Sequence, residues 1–379
     1  MRVLYMSHRY HTNQNTIMKG WVENKHEICF LSQYAGKIED YTYVKPIVVG
    51  YSAFFRFIYY IYVHILFRKD PAAMDMRLKY GFPPILKLRK LIKDFKPDIA
   101  ILRERSIYTI CMNAICRSLK IPTILYNLSP VWDKPKKMDL AHKIVWKLTP
   151  KYRMTPVKLT GVDFDGLVED TNGYFAPFLM EPRVSPENKT YFKDDRINIF
   201  CIGKYQQRKN HFLMVQAVEE LLDKYNLHLA IAGEVSNDFH EEYYASLEKY
   251  IMEHHLQDKV TLLKNLGKEQ VFAQYEQADV YVVPSTAEPA SITVIEAMAF
   301  SIPSISGSDN GTASYIDEGV NGYVFKDNDK EDLKKKLEMI VCDKDNIPLM
   351  GKKGYESVLA NFQFKNYYDV VEEIKKKLL

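Results

Sequence analysis

Short apolar runs rich in β-branched residues recur along this chain, each followed by a stretch with apolar residues at three- and four-residue spacing. VLYM, EICFL, DIAIL and PTILYN are such runs in the first half. Between them, ILKLRKLIKDF puts Ile85, Leu88, Leu91, Ile92 and Phe95 on one helical face and Lys87, Lys90, Lys93 and Asp94 on the other. The polar, proline-bearing segment EPRVSPENKTYFKDDR (181–196) interrupts the pattern and reads as a linker. The alternation then restarts with INIFCIG, a helix over 210–223, LHLAIAG, a helix over 238–255, VTLL, a helix over 268–277, ADVYVVP and IPSIS. Strands that alternate with helices must form parallel sheets covered on both faces. The expected fold class is therefore α/β, with two Rossmann-like doubly wound domains in series. A length of 379 residues suits two cores rather than one. The boundaries expected are 1–185 and 186–361, followed by an amphipathic helix over 362–379. Ligands of such sheets lie beyond the carboxyl ends of the strands, and two facing domains would hold them in a cleft.

Several classes drop out. The five cysteines (Cys29, Cys111, Cys116, Cys201, Cys342) are scattered, with no CxxC pair and no Cys/His cluster, which argues for a reducing compartment without structural zinc. MRVLYMSHRY reads as a strand, not a leader. The apolar stretch from Phe54 to Phe67 is broken by Arg56 and His64 and falls short of the roughly 20 residues that span a bilayer. Residues 1–190 hold 30 Lys and Arg against 17 Asp and Glu, a net of +13, whereas the remainder carries −9. Such a split fits either lysine-rich solvated faces or an anionic partner for the first half. No aromatic–basic recognition motif is present, so nucleic acid is not expected.

Two stretches carry candidate chemistry. In IGKYQQRKNHF (202–212) a strand leaves through Gly203, and Lys204, Arg208 and Lys209 precede a helix. Cations where a strand feeds a helix suit a phosphate, although solvated lysines are the plainer reading. Neither a Walker loop nor GxGxxG is present. In TAEPASITVIEAMAFSIPSI (286–305), Pro289 and Ser291 mark an expected helix start, leaving the N–H groups of Ala290, Ser291 and Ile292 unpaired for an anion. Glu296 would then lie about one and a half turns along, on the order of 8–10 Å. A carboxylate there can accept from a ribose diol. A capping acid and an unrelated surface acid would give the same pattern.

The string ADVYVVPSTAEPASITVIEAMAFSIPSISGSDNGTASYIDEGVNGYVF (278–325) resembles the signature region of retaining GT-B glycosyltransferases of family 4, the Glycosyl transferases group 1 domain. The parts are Pro284-Ser285, Glu288 and Glu296 separated by seven residues, Ala297-Met298, Pro303 and Asn321-Gly322, and the similarity extends over about 196–326. IGKYQQRKN looks like the family's phosphate segment, with Lys204 in place of the usual arginine. The resemblance implies a GT-B fold and a retaining, metal-independent transfer of a sugar from a nucleotide diphosphate, UDP-linked, to a glycan or lipid-linked acceptor in cell-surface polysaccharide synthesis. The enzyme class would be a hexosyltransferase without cofactor. It implies that Lys204 and Lys209 stabilise the leaving diphosphate, that Glu288 orients the transferred sugar, and that Glu296 holds the ribose. The backbone of Ala290, Ser291 and Ile292 would meet phosphate or sugar, and Gly233, Glu234, Leu263 and Lys264 would lie near the base. The second domain would bind the donor, the first the acceptor, and the last helix would return to the first. A same-scaffold epimerase or phosphorylase, or a non-catalytic nucleotide-sugar-binding partner, is the alternative.

The acceptor side departs from the family pattern. SHRYHTNQNTIMKGW lacks the usual Gly-Gly, and Asn127 stands where many relatives carry histidine. Glu104, in ILRERS, is a candidate cleft carboxylate or else a partner of Arg103 or Arg105. The aromatic stretch AFFRFIYYIYVHILFRK (53–69) and the basic KLRKLIKDFK fit either core packing or peripheral docking on an anionic membrane. The location expected is the cytoplasm, with contact at the inner face of the plasma membrane under the second reading.

Overall fold

The computed structural model describes residues 1–11, 14–36, 40–66, 73–161 and 163–379. Contacts divide the chain into two compact units, and not at 185/186. The first is Met1–Pro156, Val168–Leu179 and Phe364–Leu379; the second is Val157–Leu167 and Met180–Gln363.

In the first unit the strands are β1 (Arg2–Ser7), β2 (Glu27–Ser32), β3 (Ile47–Val48), β4 (Ile99–Arg103), β5 (Thr123–Tyr126), β6 (Trp132–Asp133), β7 (Arg153–Thr155), β8 (Val168–Glu169) and β9 (Gly173–Phe175). The helices are α1 (Asn15–Glu23), α2 (Ala53–Ile61), α3 (Ala73–Tyr80), α4 (Ile85–Phe95), α5 (Ile107–Ser118) and α6 (Leu140–Leu148). Seven strands form a parallel sheet in the order β3-β2-β1-β4-β5-β7-β9, and β6 pairs antiparallel with β8. One face carries Leu88 and Ile92 of α4 with Tyr108, Met112 and Cys116 of α5. The apolar stripe expected for 85–95 is thus the buried one.

The second unit holds β10 (Ile197–Ile202), β11 (Leu227–Gly233), β12 (Val260–Lys264), β13 (Val280–Val283), β14 (Ser304–Gly307) and β15 (Gly322–Phe325). Its helices are α7 (His211–Glu219), α8 (Asp238–Glu253), α9 (Lys268–Gln277), α10 (Thr293–Ala299), α11 (Lys330–Val341) and α12 (Asn346–Asn361). The parallel order is β12-β11-β10-β13-β14-β15. In both sheets the order reverses beside the first strand, at β1/β4 and at β10/β13. Ligands of doubly wound sheets gather at such reversals.

Two expectations change here. The segment 181–196 is not a loose linker. Lys189 is buried and donates to the carbonyls of Tyr275 and Glu276 at 3.0 and 2.9 Å, and Tyr191 donates to that of Ser301. Its few apolar and cationic side chains find partners that only the folded unit supplies. The aromatic stretch 53–69, described to residue 66, is not mainly core either. Of α2 only Phe55 is buried, while Phe54 and Phe57 are 72% and 65% exposed.

The last helix, α13 (Phe364–Leu378), packs within the first unit, its Phe364 ring edge-on to Trp21 at 5.1 Å. Beneath it Trp21 donates through Nε1 to the Tyr5 hydroxyl at 2.7 Å, which pairs with the Tyr367 hydroxyl at 2.8 Å. All three side chains are buried, so each polar atom depends on the others. Tyr5→Phe strands both Trp21 and Tyr367 and is expected to cost about 2–4 kcal/mol, against about 1–2 for Tyr367→Phe, measurable by urea unfolding.

Candidate functional site

The two candidate stretches leave neighbouring strands at the β10/β13 reversal and meet there. The Thr286 N–H donates to the Arg208 carbonyl at 2.9 Å, and Asn210 Nδ2 donates to the Pro284 carbonyl at 3.1 Å. Above these ties Lys209 Nζ and Arg208 Nη1 converge on one oxygen, Oε2 of Glu288, at 2.5 and 2.9 Å. Lys209 and Glu288 are 13% and 12% exposed, so the pair is largely shielded from solvent screening. Gly203 lies against the Lys209 stem, where an added Cβ would come within 3.0 Å of its Cδ. The fully buried His211 imidazole has its pKa pushed down to about 3 by burial and then by Lys209, so it adds no further positive charge to that of Lys209 and Arg208.

Left-handed backbone flanks this cluster on both sides, at Asn210 (φ 52°) and Ala287 (φ 48°). A non-glycine residue held there stores about 1–3 kcal/mol of strain and turns its neighbour sharply. The Ala287 turn is held by its N–H donating to Asp309 Oδ2 at 2.8 Å.

Lys204 is placed apart from Lys209. It pairs with Glu234 Oε2 at 2.9 Å, both side chains about half exposed. Gly233 is obligatory, because a Cβ would approach the Gly203 carbonyl oxygen to 2.4 Å. The Leu263 backbone is taken up by the Tyr205 hydroxyl, and Lys264 turns to Glu241 at 2.7 Å and lies over the Tyr244 ring.

The expected helix start moves. α10 begins at Thr293, and the Ser291 N–H is not unpaired: it donates to Asn310 Oδ1 at 3.1 Å. Ser291 caps nothing; its hydroxyl pairs with that of Thr293 at 2.7 Å. The cause is the buried Asn310, whose Oδ1 also accepts from the Thr312 N–H and hydroxyl and so holds 289–292 off the helix. Gly311 permits the close approach, since a Cβ there would overlap the Pro289 carbonyl oxygen at 2.0 Å. Glu296 consequently lies in the first helical turn rather than one and a half turns in. Asn310 and Thr312 escaped the sequence reading; the run SDNGT between two strands was their signal.

Glu296 accepts from the Tyr275 hydroxyl at 3.1 Å. Burial raises its carboxyl pKa above the ordinary 4.5, with Tyr275, Arg183 and Lys268 acting against the rise.

In the first unit, Asn127 is buried under Arg153, which donates to its Oδ1 at 3.4 Å and to Asp170 at 2.6 Å. It holds a loop rather than facing outward. Glu104 forms no ion pair among the described residues, and Arg105 turns away to lie over the Trp146 ring at 4.1 Å.

A protein-family model, Glycosyl transferases group 1, matches residues 186–357. This stretch is a group 1 glycosyltransferase domain. An uncharacterized glycosyltransferase of Methanocaldococcus jannaschii is 30% identical over 159 residues, 40% of this chain and 39% of that one. The capsular polysaccharide biosynthesis glycosyltransferase CapM of Staphylococcus aureus is 23% identical over 64% of this chain and 60% of its own. The matches thus span less than two thirds of those relatives' lengths. The structure of Anabaena HepE in complex with UDP superposes with a TM-score of 0.69 at 10% identity, covering 99% of this chain and 100% of that one. The likeness shows the fold, GT-B.

The folded protein holds the Glu296 proton more tightly than the unfolded chain does. Its contribution to stability is therefore full below the unfolded pKa and lost as pH rises through the folded value. Glu296→Gln is expected to raise the unfolding midpoint of the ligand-free protein by a few degrees at about pH 8, the gain shrinking toward pH 4.5 in thermal scans.

Proposed function

We propose that this chain is a retaining, metal-independent glycosyltransferase that moves a hexose from a UDP-linked donor onto a glycan or lipid-linked acceptor in cell-surface polysaccharide synthesis. The convergence of Lys209 and Arg208 on Glu288 at the strand-order reversal carries this reading. Glycosyl transfer passes through an oxocarbenium-like state while the diphosphate departs with growing negative charge. Cations already held in place where that charge develops lower the barrier without reorganising. Glu288 holds Lys209 and Arg208 together before the donor arrives and faces the transferred sugar as an orienting group, not a nucleophile. The acceptor hydroxyl attacks from the face the diphosphate leaves, and a phosphate oxygen takes its proton. Glu296 accepts from the ribose hydroxyls. Lys204 meets the diphosphate by exchanging its exposed partner Glu234, and the backbones of Ala290 and Ile292 face it. Loops 233–234 and 263–264 border the base. The UDP in the Anabaena structure and the name of the Staphylococcus aureus relative support the donor and the pathway class.

The acceptor is assigned to the first unit, and its exposed Phe54, Phe57, Tyr60, Leu86 and Leu140 support peripheral contact with an anionic membrane at the cytoplasmic face. No helix among the described residues is long and apolar enough to cross a membrane. Co-sedimentation with phosphatidylglycerol vesicles checks this contact; Phe54→Ser with Phe57→Ser should lower binding severalfold, and equal binding counts against it.

For the chemistry, Lys209→Ala is expected to lower kcat by about 10²–10³. Glu296→Ala is expected to raise the dissociation constant for UDP, read as a smaller thermal shift. Turnover measured as UDP release with and without acceptor decides; unchanged turnover in the Lys209 variant sinks the phosphate role.

A further inference from the structure

The end of α9 holds a buried lysine that donor binding does not use. Lys189, in the segment before β10, donates through Nζ to the carbonyls of Tyr275 and Glu276 in the last turn of that helix. An ammonium suits a helix C-terminus, and capping alone would account for such a residue. Two observations point past capping. The carbonyls take two of the three positions that Nζ offers, and the third has no hydrogen-bond partner among the described residues. The side chain also lines a cavity of about 510 Å³, formed where chain enters β10 and β13 at their amino ends, away from the carboxyl edge where Lys209 meets Glu288.

The cavity wall is cationic. Arg183 and Lys193 stand in it beside Lys189, against the carboxylate of Glu276. Lys193 makes no ion pair among the described residues, and Arg183 comes no nearer than 3.9 Å to Glu181. Cations so placed suit a phosphate. Lys189 itself is poised differently. Burial holds its pKa down to about 8 against the pull of Asp279, with Lys193 adding to the fall and Glu276 opposing it. The Tyr191 ring, 5.6 Å from Nζ, stays a neutral phenol because burial raises its pKa. About a tenth of Lys189 is therefore amine at pH 7, against about one part in 2,500 of an exposed lysine. With both amine hydrogens on the carbonyls, the lone pair takes the third position.

We propose that Lys189 is an acylation site whose acyl donor is an acyl phosphate, held in this cavity by Lys193 and Arg183. The Nζ lone pair attacks the acyl carbon. The bond from that carbon to the bridging oxygen breaks, its electron pair leaves with the phosphate, and a proton passes from Nζ to the phosphate. The product amide keeps one N–H for two carbonyls and loses the positive charge. Acylation thus removes a donor from the last turn of the helix whose Tyr275 hydroxyl bonds to Glu296.

The experiment is timed acetylation of the full chain with acetyl phosphate at pH 7, each modified lysine followed by peptide mass spectrometry. Lys249, its side chain 74% exposed, is the reference. Lys189 is expected to acetylate about tenfold or more faster than Lys249, levelling off above about pH 8 while Lys249 continues to gain. Lys193→Gln should slow the reaction of Lys189 with acetyl phosphate severalfold more than its reaction with neutral acetic anhydride. A lysine that only caps α9 would react more slowly than Lys249. That order, or equal slowing of the two reagents in folded Lys193→Gln, overturns the proposal. No step involves the donor site, so the outcome is independent of sugar transfer.

Discussion

The pairing of β10 with β13 is the constraint on which the donor site depends. It reverses the strand order, and so brings 203–210 against 284–288, segments about 80 residues apart in the chain. A fully buried carboxylate secures it. Asp279 accepts from the N–H groups of Phe192 and Asn198 at 2.8 and 2.7 Å, while its own N–H donates to the Asn198 carbonyl at 2.7 Å. Those bonds tie the start of β13 to the start of β10 and fix where both strands end. A slip in that pairing would carry Glu288 away from Lys209.

The same pairing explains why charge can collect at one edge without unfolding it. Parallel strands buried on both faces release their loops at the carboxyl ends, where backbone polar groups still need partners. Asn310, Asp309 and Asn210 supply them with short side chains, leaving Lys209, Arg208 and Glu288 to one another. The ion pair adds little net stability once desolvation is counted, but it holds the cations in one geometry. The first unit repeats the reversal at β1/β4, where Arg103 lies over the Tyr126 ring.

How far the sequence carried can be seen residue by residue. The apolar face of 85–95 and the helix over 268–277 were readable because one periodic signal decides each. Lys209 and Glu288 were readable as candidates because their residue types suit phosphate chemistry, and the family resemblance joined them. Asn310 was not, since an asparagine in a polar loop has the same appearance whether it caps three groups or none. For the same reason 181–196 looked like a linker: the carbonyls that receive Lys189 lie at the end of α9, far along the chain. α2 has a strongly apolar composition, which says that its side chains avoid water but not whether another element covers them.

The sequence by itself determined the α/β class, the two rounds of strand and helix, and the residue types at the carboxyl edge. These follow from local periodicity and side-chain chemistry, which need no partner to be read. Only the tertiary structure decided which charges pair. Glu288 meets Lys209, Lys204 meets Glu234, burial raises the carboxyl pKa of Glu296, and Arg103 lies over the Tyr126 ring. Charge, burial and hydrogen bonding act over a few ångströms through space, and strand order sets those distances.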